Sequence, residues 1–194
     1  AMLTSSMDVH DVIQHTRFPD LDVIPANIDL SAAEVKLVTE VGREQVLASV
    51  LRQVRNEYDL ILIDCQPSLG LLTVNALTAA DVVIIPVAAE FFALRGVALL
   101  MDSIEKVKSR INPQLEVYGV LMTMYTRTLH AEEVVQRIYD AFPGKVFHTV
   151  ISRSIKIADA SVAAKPITMF SPQHATAKEY REVAREIVAQ GIVA

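Results

Sequence analysis

The sequence is poor in the residues that staple small or secreted folds. It has no tryptophan and a single cysteine, Cys65, so no disulfide framework can form within the chain. Unpaired thiol usage of this kind points to a reducing compartment. No apolar run approaches the roughly 18 residues of a membrane span; the longest clean one is Val82 to Ala89. No secretory pattern opens the sequence, so a cytoplasmic protein is expected. Glycine is scarce too, with only Gly42, Gly70, Gly96, Gly119, Gly144 and Gly191. A phosphate-cradling loop of the form G-x-x-x-x-G-K-[ST] needs two glycines five apart, and no two of the six are. The one Gly-Lys pair, Gly144-Lys145, leads into Val146 and a strand pattern instead of a helix.

What is present describes a globular chain. Its 194 residues are 52% hydrophobic and 21% charged, which excludes disorder and gives enough chain for one sizeable domain with a real core. The net charge of −5 is unevenly spread. Residues 1–100 carry 6 basic and 13 acidic side chains, a balance of −7, and residues 101–194 carry 12 and 10, a balance of +2. Within the second half, Lys145, Arg153, Lys156, Lys165 and Lys178 stand against Asp159 alone over 141–178. Overall acidity argues against a chain-wide nucleic-acid coat and leaves room for one local basic face.

Helical and strand patterns alternate. Ser5 or Ser6 is placed to cap a short helix through about His15, and Leu21-Asp22-Val23-Ile24 reads as a strand stopped by Pro25. Ser31 is read as the cap of a helical stretch with apolar positions Val35, Leu37, Val38, Val46, Val50, Leu51 and Val54, which Gly42 divides. Tyr58 to Asp64 contains four consecutive large aliphatics, Leu60 to Ile63. A strand buried on both faces of a parallel sheet reads that way. Val82 to Ile85 before Pro86, Val117 to Met124 and Val146 to Val150 are the further strands. Helices are expected at about 71–79, 91–110, 131–141, 155–163 and 174–189, the last with an apolar stripe of Ala177, Tyr180, Val183, Ala184, Ile187 and Val188. The fold class is α/β: an open, mostly parallel sheet flanked by helices on both faces, in a single domain of residues 1–194.

In such sheets ligands bind outside the carboxyl ends of the strands. Asp64 ends the most hydrophobic strand and is followed by Cys65-Gln66-Pro67-Ser68-Leu69-Gly70. Four aliphatics and then Asp is the Walker B pattern, in which a rigidly held carboxylate binds Mg²⁺ through water beside a nucleotide's phosphates. An Asp after a strand is also an ordinary turn or cap residue. The five histidines, His10, His15, His130, His148 and His174, show no metal-ligand spacing. Neither is there a G-x-S-x-G nucleophile elbow. Cys65 is a poor nucleophile beside the Asp64 charge, which raises its pKa, and is read as a small buried packing residue.

The stretch YDLILIDCQPSLGLLTVNALTAA at 58–80 resembles the ParA/Soj family of deviant-Walker ATPases. The likeness continues through DVVIIPVAAEFFALRGVALLMDSIEKVKSRINP, LEVYGVLMTMYTRT and KVFHTVISRSIKIADASVAAKPI, and upstream in LDVIPANIDLSAAEVKLV. It implies a P-loop NTPase fold, ATP or ADP with Mg²⁺, a homodimer, nonspecific DNA and a ParB-type partner. Asp64 would be the Mg²⁺ residue. Gln66, Pro67, Met124, Ser152 and Ser154 would be nucleotide contacts, and Arg127, Arg153 and Lys156 DNA contacts. There are two local departures. One proline of the family's Asp-x-Pro-Pro is absent from Asp64-Cys65-Gln66-Pro67, and the family's Ile-Pro-Arg is here Ile151-Ser152-Arg153. The larger departure is the phosphate loop, with the strands around it, which precedes this stretch in the family. The resemblance therefore implies an N-terminally truncated chain that binds no nucleotide and hydrolyses no ATP by itself. Its lost central strand would leave apolar faces and edges prone to association. Two rival readings differ in class. One is a non-catalytic regulator or interaction module that keeps the fold. The other is a membrane-cycling relative of the MinD type, which the mixed Lys178, Arg181, Arg185, Glu179, Glu182 and Glu186 of the terminal helix disfavour.

Overall fold

The computed structural model describes residues 3, 7–66, 68, 70–90, 93–189 and 191. The chain forms two compact units, residues 1–81 with 103–115 and residues 82–102 with 116–194.

A single-turn helix stands at Val9–Asp11, within the stretch where a longer helix is expected, and Ser5 and Ser6, its expected caps, lie outside the described residues. Asp8 caps this turn, and its carboxylate accepts from the His10 N–H. Two short strands, β1 (Gln14–His15) and β2 (Asp22–Val23), pair antiparallel. The Tyr58 hydroxyl donates to Asp22 at 2.8 Å. Helix α1 (Asp29–Leu37) begins ahead of Ser31, because the Asn27 side chain accepts from the Asp29 N–H and starts the turn earlier. Leu37 and Ala33 face inward, whereas Val35 and Val38, expected in the apolar stripe, are exposed. Gly42 sits at φ +69°, a conformation that favours glycine, and separates α1 from α2 (Val46–Leu51).

Polar side chains fasten these helices. Asn75, fully buried on α3 (Leu71–Ala79), accepts from the Leu47 N–H at 3.1 Å and donates to Arg43 O at 2.7 Å and Leu71 O at 3.0 Å. At the other end of α3, the Asn112 amide donates to the carbonyls of Leu77, Thr78 and Ala80. A helix leaves its last carbonyls without internal partners, and Asn112 supplies them.

The second unit holds the parallel sheet. Strand β3 (Val82–Ala88) pairs parallel with β4 (Glu116–Thr123), from Val82 opposite Glu116 to Ala88 opposite Thr123. Between them runs α4 (Ala93–Arg110). The strand does not stop at Pro86, as its sequence suggests. Ala89 N–H donates to Thr123 O, so by alternation the nitrogen of Pro86 faces away from β4 and its missing hydrogen leaves the ladder intact. Along the far side of β4 lies the extended segment 145–153. Val120 N–H donates to Lys145 O, Phe147 N–H to Val120 O, Ile151 N–H to Met122 O and Arg153 N–H to Tyr125 O. No regular strand forms at 146–150 as expected: the segment meets β4 and the turn after it only through isolated bridges at Val146 and Ser152, because it advances four positions, from Phe147 to Ile151, where β4 advances two, from Val120 to Met122.

Leu121, Phe147, Ile151 and Val183 form the core of this sheet, with Ile84, Tyr118 and Ile187 packed against it. Gly119 lets Phe147 pack closely there, since a Cβ would stand 3.1 Å from the Phe147 ring and 3.3 Å from Lys145 O. Four helices follow: α5 (Leu129–Ala141), α6 (Ile155–Val162), α7 (Ile167–Phe170) and α8 (Ala175–Ala189). On α8, Ala177 and Val183 are buried, and Tyr180, Ala184 and Val188 of the expected stripe are exposed.

Asn75→Ala removes three hydrogen bonds from a fully buried position. It is expected to destabilise the protein by about 2–3 kcal/mol in urea unfolding. Thr78→Ala, which loses only the local bond to Val74 O, is expected to cost about 1 kcal/mol or less.

Candidate functional site

In the first unit the candidate carboxylate, Asp64, ends the aliphatic run and is exposed. The run itself corrects the sequence expectation. Leu60 to Ile63 is neither paired into a sheet among the described residues nor buried on two faces, and Leu62 is 78% exposed. A single exposed carboxylate of this kind suits Mg²⁺, which keeps several waters and takes one or two protein ligands. Among the described residues no three His, Cys, Asp or Glu side chains gather into a metal cluster.

Cys65 is exposed, not buried packing as expected. Partial desolvation of its sulfur, and then the charge of Asp64, push the thiol up from its ordinary value, so the thiolate is disfavoured. Gln66 is exposed, and Pro67 lies outside the described residues. The loop then enters α3. There the Glu34 carboxylate accepts from the Leu72 N–H at 3.4 Å, placing a negative charge at the positive end of the helix. Gly70 permits that approach, since a Cβ at this position would collide with the Glu34 carboxylate.

The second unit brings the other candidates together at the carboxyl end of β4. Met124 follows the strand at φ +53° and is 49% exposed. This left-handed turn delivers Tyr125 to the neighbouring segment, where its N–H donates to Ile151 O and its carbonyl accepts from Arg153 N–H. Met124, Ser152 and Arg153 therefore share one loop cluster. Ser154 is the N-cap of α6, its hydroxyl accepting from the Lys156 N–H at 3.1 Å. Arg127 is exposed just before Thr128, the N-cap of α5. Arg153 and Lys156 are exposed as well, and the Lys156 ammonium pairs with Asp159 at 3.0 Å.

Two residues that the sequence offers only among the mixed charges of the terminal helix are structural parts of this cluster. Glu186 on α8 accepts from the N–H groups of His148 and Thr149, both at 2.9 Å. Glu179 accepts from the Ser152 N–H at 2.9 Å and the Ser152 hydroxyl at 2.7 Å. Their spacing of seven residues, with the buried Val183 between, is the signal that marks them: one helix face presents both. Ser152 thus spends both of its donors on α8.

These features define a class, an α/β protein with a parallel sheet, a carboxylate after an aliphatic run and a loop cluster at the strand ends. Residues 1–117 match a family described as an AAA domain. Over 190 residues the chain is 44% identical to the chromosome-partitioning ATPase Soj of Treponema pallidum, covering 97% of this chain and 75% of that protein. It is 51% identical over 183 residues to an uncharacterized protein of Mycobacterium tuberculosis, covering 94% of this chain and 58% of that one. The crystal structure of cobyrinic acid a,c-diamide synthase from Mycobacterium smegmatis, with bound ATP analog and magnesium, superposes with a TM-score of 0.84 at 32% identity, over 96% of this chain and 70% of that one. The fold is that of the P-loop ATPases, and the chain belongs to the ParA/Soj family. It spans about 58% of the length of its M. tuberculosis relative.

The Glu186 carboxyl has a pH signature. Burial raises its pKa, but hydrogen bonds from the Thr149 side chain and the His148 and Thr149 N–H groups outweigh this and hold it below the usual 4.5. A depressed carboxylate contributes stability that is present above 4.5 and lost as pH falls through the folded value. Thermal midpoints measured from neutral pH into this acid range should therefore fall more steeply for the wild type than for Glu186→Gln, which starts lower at neutral pH.

Proposed function

We propose that this chain is the strand-and-helix portion of a ParA-type partition ATPase that follows the phosphate loop, and that these residues form one domain with it. The intact protein would form a homodimer with ATP and Mg²⁺ bound, bind nonspecific DNA in the cytoplasm as that dimer, and release it when a ParB-type partner stimulates hydrolysis. The observation that carries this reading is the 44% identity to a chromosome-partitioning ATPase over 97% of the chain. The M. smegmatis structure with ATP analog and magnesium supports the nucleotide.

In this reading Asp64 would hold Mg²⁺ through water, Gln66 and Pro67 would be nucleotide contacts of the first unit, and Met124, Ser152 and Ser154 would be nucleotide contacts of the second. Bound Mg²⁺ would neutralise charge developing on the phosphates. Arg127, Arg153 and Lys156 meet DNA phosphates, a contact that needs charge and no base-reading geometry. Lys156 contributes less than the two arginines, since Asp159 already neutralises it in part. No helix among the described residues is long and apolar enough to cross a membrane, and α8 turns Ala177 and Val183 into the core.

Two measurements test the reading. The protein expressed from its complete reading frame should hydrolyse ATP, and Asp64→Ala should lower turnover by about two orders of magnitude. Absent turnover would leave the non-catalytic module, and equal turnover in the variant would remove Asp64 from the metal site. In DNA-binding titrations with that same protein, Arg153→Ala/Lys156→Ala should flatten the log–log salt dependence by about one to two charges. An unchanged slope removes both residues from the footprint.

A further inference from the structure

Among the described residues, segment 145–153 pairs on one side only, with β4 and the turn that follows it. Tyr125 N–H donates to Ile151 O and Arg153 N–H donates to Tyr125 O, so the N–H of Ser152, between them, points away from the ladder. A donor in that position has two solutions. Proline deletes it without loss to the sheet, as an outward-facing position on an edge allows. Serine keeps it and adds a hydroxyl, and both donors then need an acceptor. Here the acceptor is Glu179, whose two oxygens each take one of them.

We propose that Glu179 is the positioning residue for the loop that carries Arg153, its carboxylate replacing the restraint that proline provides in the Ile-Pro-Arg pattern. Two bonds to adjacent atoms of one residue fix Ser152 in place. The next residue, Arg153, is then held by its own bond to Tyr125, and Ser154 starts α6 as its cap. The carboxylate comes from α8, whose Val183 is in the sheet core, so the docked helix sets the aim of the basic loop. The consequence for DNA rests on the function proposed above, whereas the positioning itself does not.

Amide exchange by NMR on the protein expressed from its complete reading frame tests the positioning. Glu179→Ala should speed exchange at Arg153 by about tenfold or more, the factor expected from losing hydrogen bonds to a charged group, with Val120 and Met122 unchanged. Adding Ser152→Pro to Glu179→Ala should restore Arg153 protection to within about threefold of wild type, because proline needs no acceptor and restricts φ. Glu179→Gln, which can still accept from the N–H and donate to the hydroxyl, should lie between. Unchanged exchange at Arg153, acceleration shared by β4, or failure of Ser152→Pro to rescue would each overturn the proposal. If Glu179→Ala does not fold, the double variant decides: a folded chain with a protected Arg153 supports it, and an unfolded one overturns it. On DNA, the full-length protein with Glu179→Ala should bind about tenfold more weakly at the same salt slope, since the basic side chains that meet phosphates are kept and only their placement is lost. Wild-type affinity in a variant with a loosened loop would overturn the link to DNA. A wild type that binds no DNA would overturn the functional reading and leave the exchange result to judge the positioning.

Discussion

An edge strand presents N–H groups that no neighbour pairs with, and the second unit is organised around satisfying them. The N–H groups of His148, Thr149 and Ser152 all end on carboxylates of α8. Hydrogen bonds to ionised acceptors are roughly twice as strong as neutral ones, and leaving such donors unmade would cost about 1–3 kcal/mol each. The same helix face places Val183 in the core between the two glutamates. Docking of α8 and closure of the sheet edge are therefore one event. This arrangement also covers an edge that would otherwise invite pairing with another chain.

The first unit is held differently. Its most aliphatic segment forms no ladder among the described residues, so the restraint comes from side-chain amides and a carboxylate. Asn75 joins α3 to the start of α2, Asn112 closes the far end of α3, and Glu34 sits at its beginning. All three act on α3, the helix that directly follows the Asp64 loop. The geometry of that loop thus depends on a helix pinned at both ends and in the middle.

Periodicity made much of this legible. The long helices α4, α5 and α8 and the strands β3 and β4 fall where the 3.6 and uninterrupted aliphatic patterns put them, because their patterns are strong and their partners lie in the chain. Leu60 to Ile63 shows the limit. Four aliphatics state a preference for burial, but burial needs covering elements, and Leu62 has none here. Cys65 is misplaced for the same reason, being read as packing next to a strand that is not enclosed. Ser31 fails as a cap because Asn27 offers an earlier acceptor. For the candidate site, Asp64 and the basic loop stand out by residue type and by resemblance, whereas Glu179 and Glu186 do not. On a helix rich in both charge signs, an acidic residue facing the sheet looks like any other until the fold shows which N–H groups it meets.

Pro86 and Ser152 draw these threads together. Both occupy outward-facing positions beside β4, one on each flank, where the backbone donor contributes nothing to the ladder. At Pro86 the donor is simply absent, and the strand continues through the ring. At Ser152 it is kept and bonded to Glu179. The first solution is purely local and independent of the rest of the fold. The second makes the loop's order conditional on the Glu179 carboxylate and on a helix that is 23 residues further along at its start. A restraint built that way ties the loop bearing Arg153 to the terminal helix, which a proline would have left uncoupled.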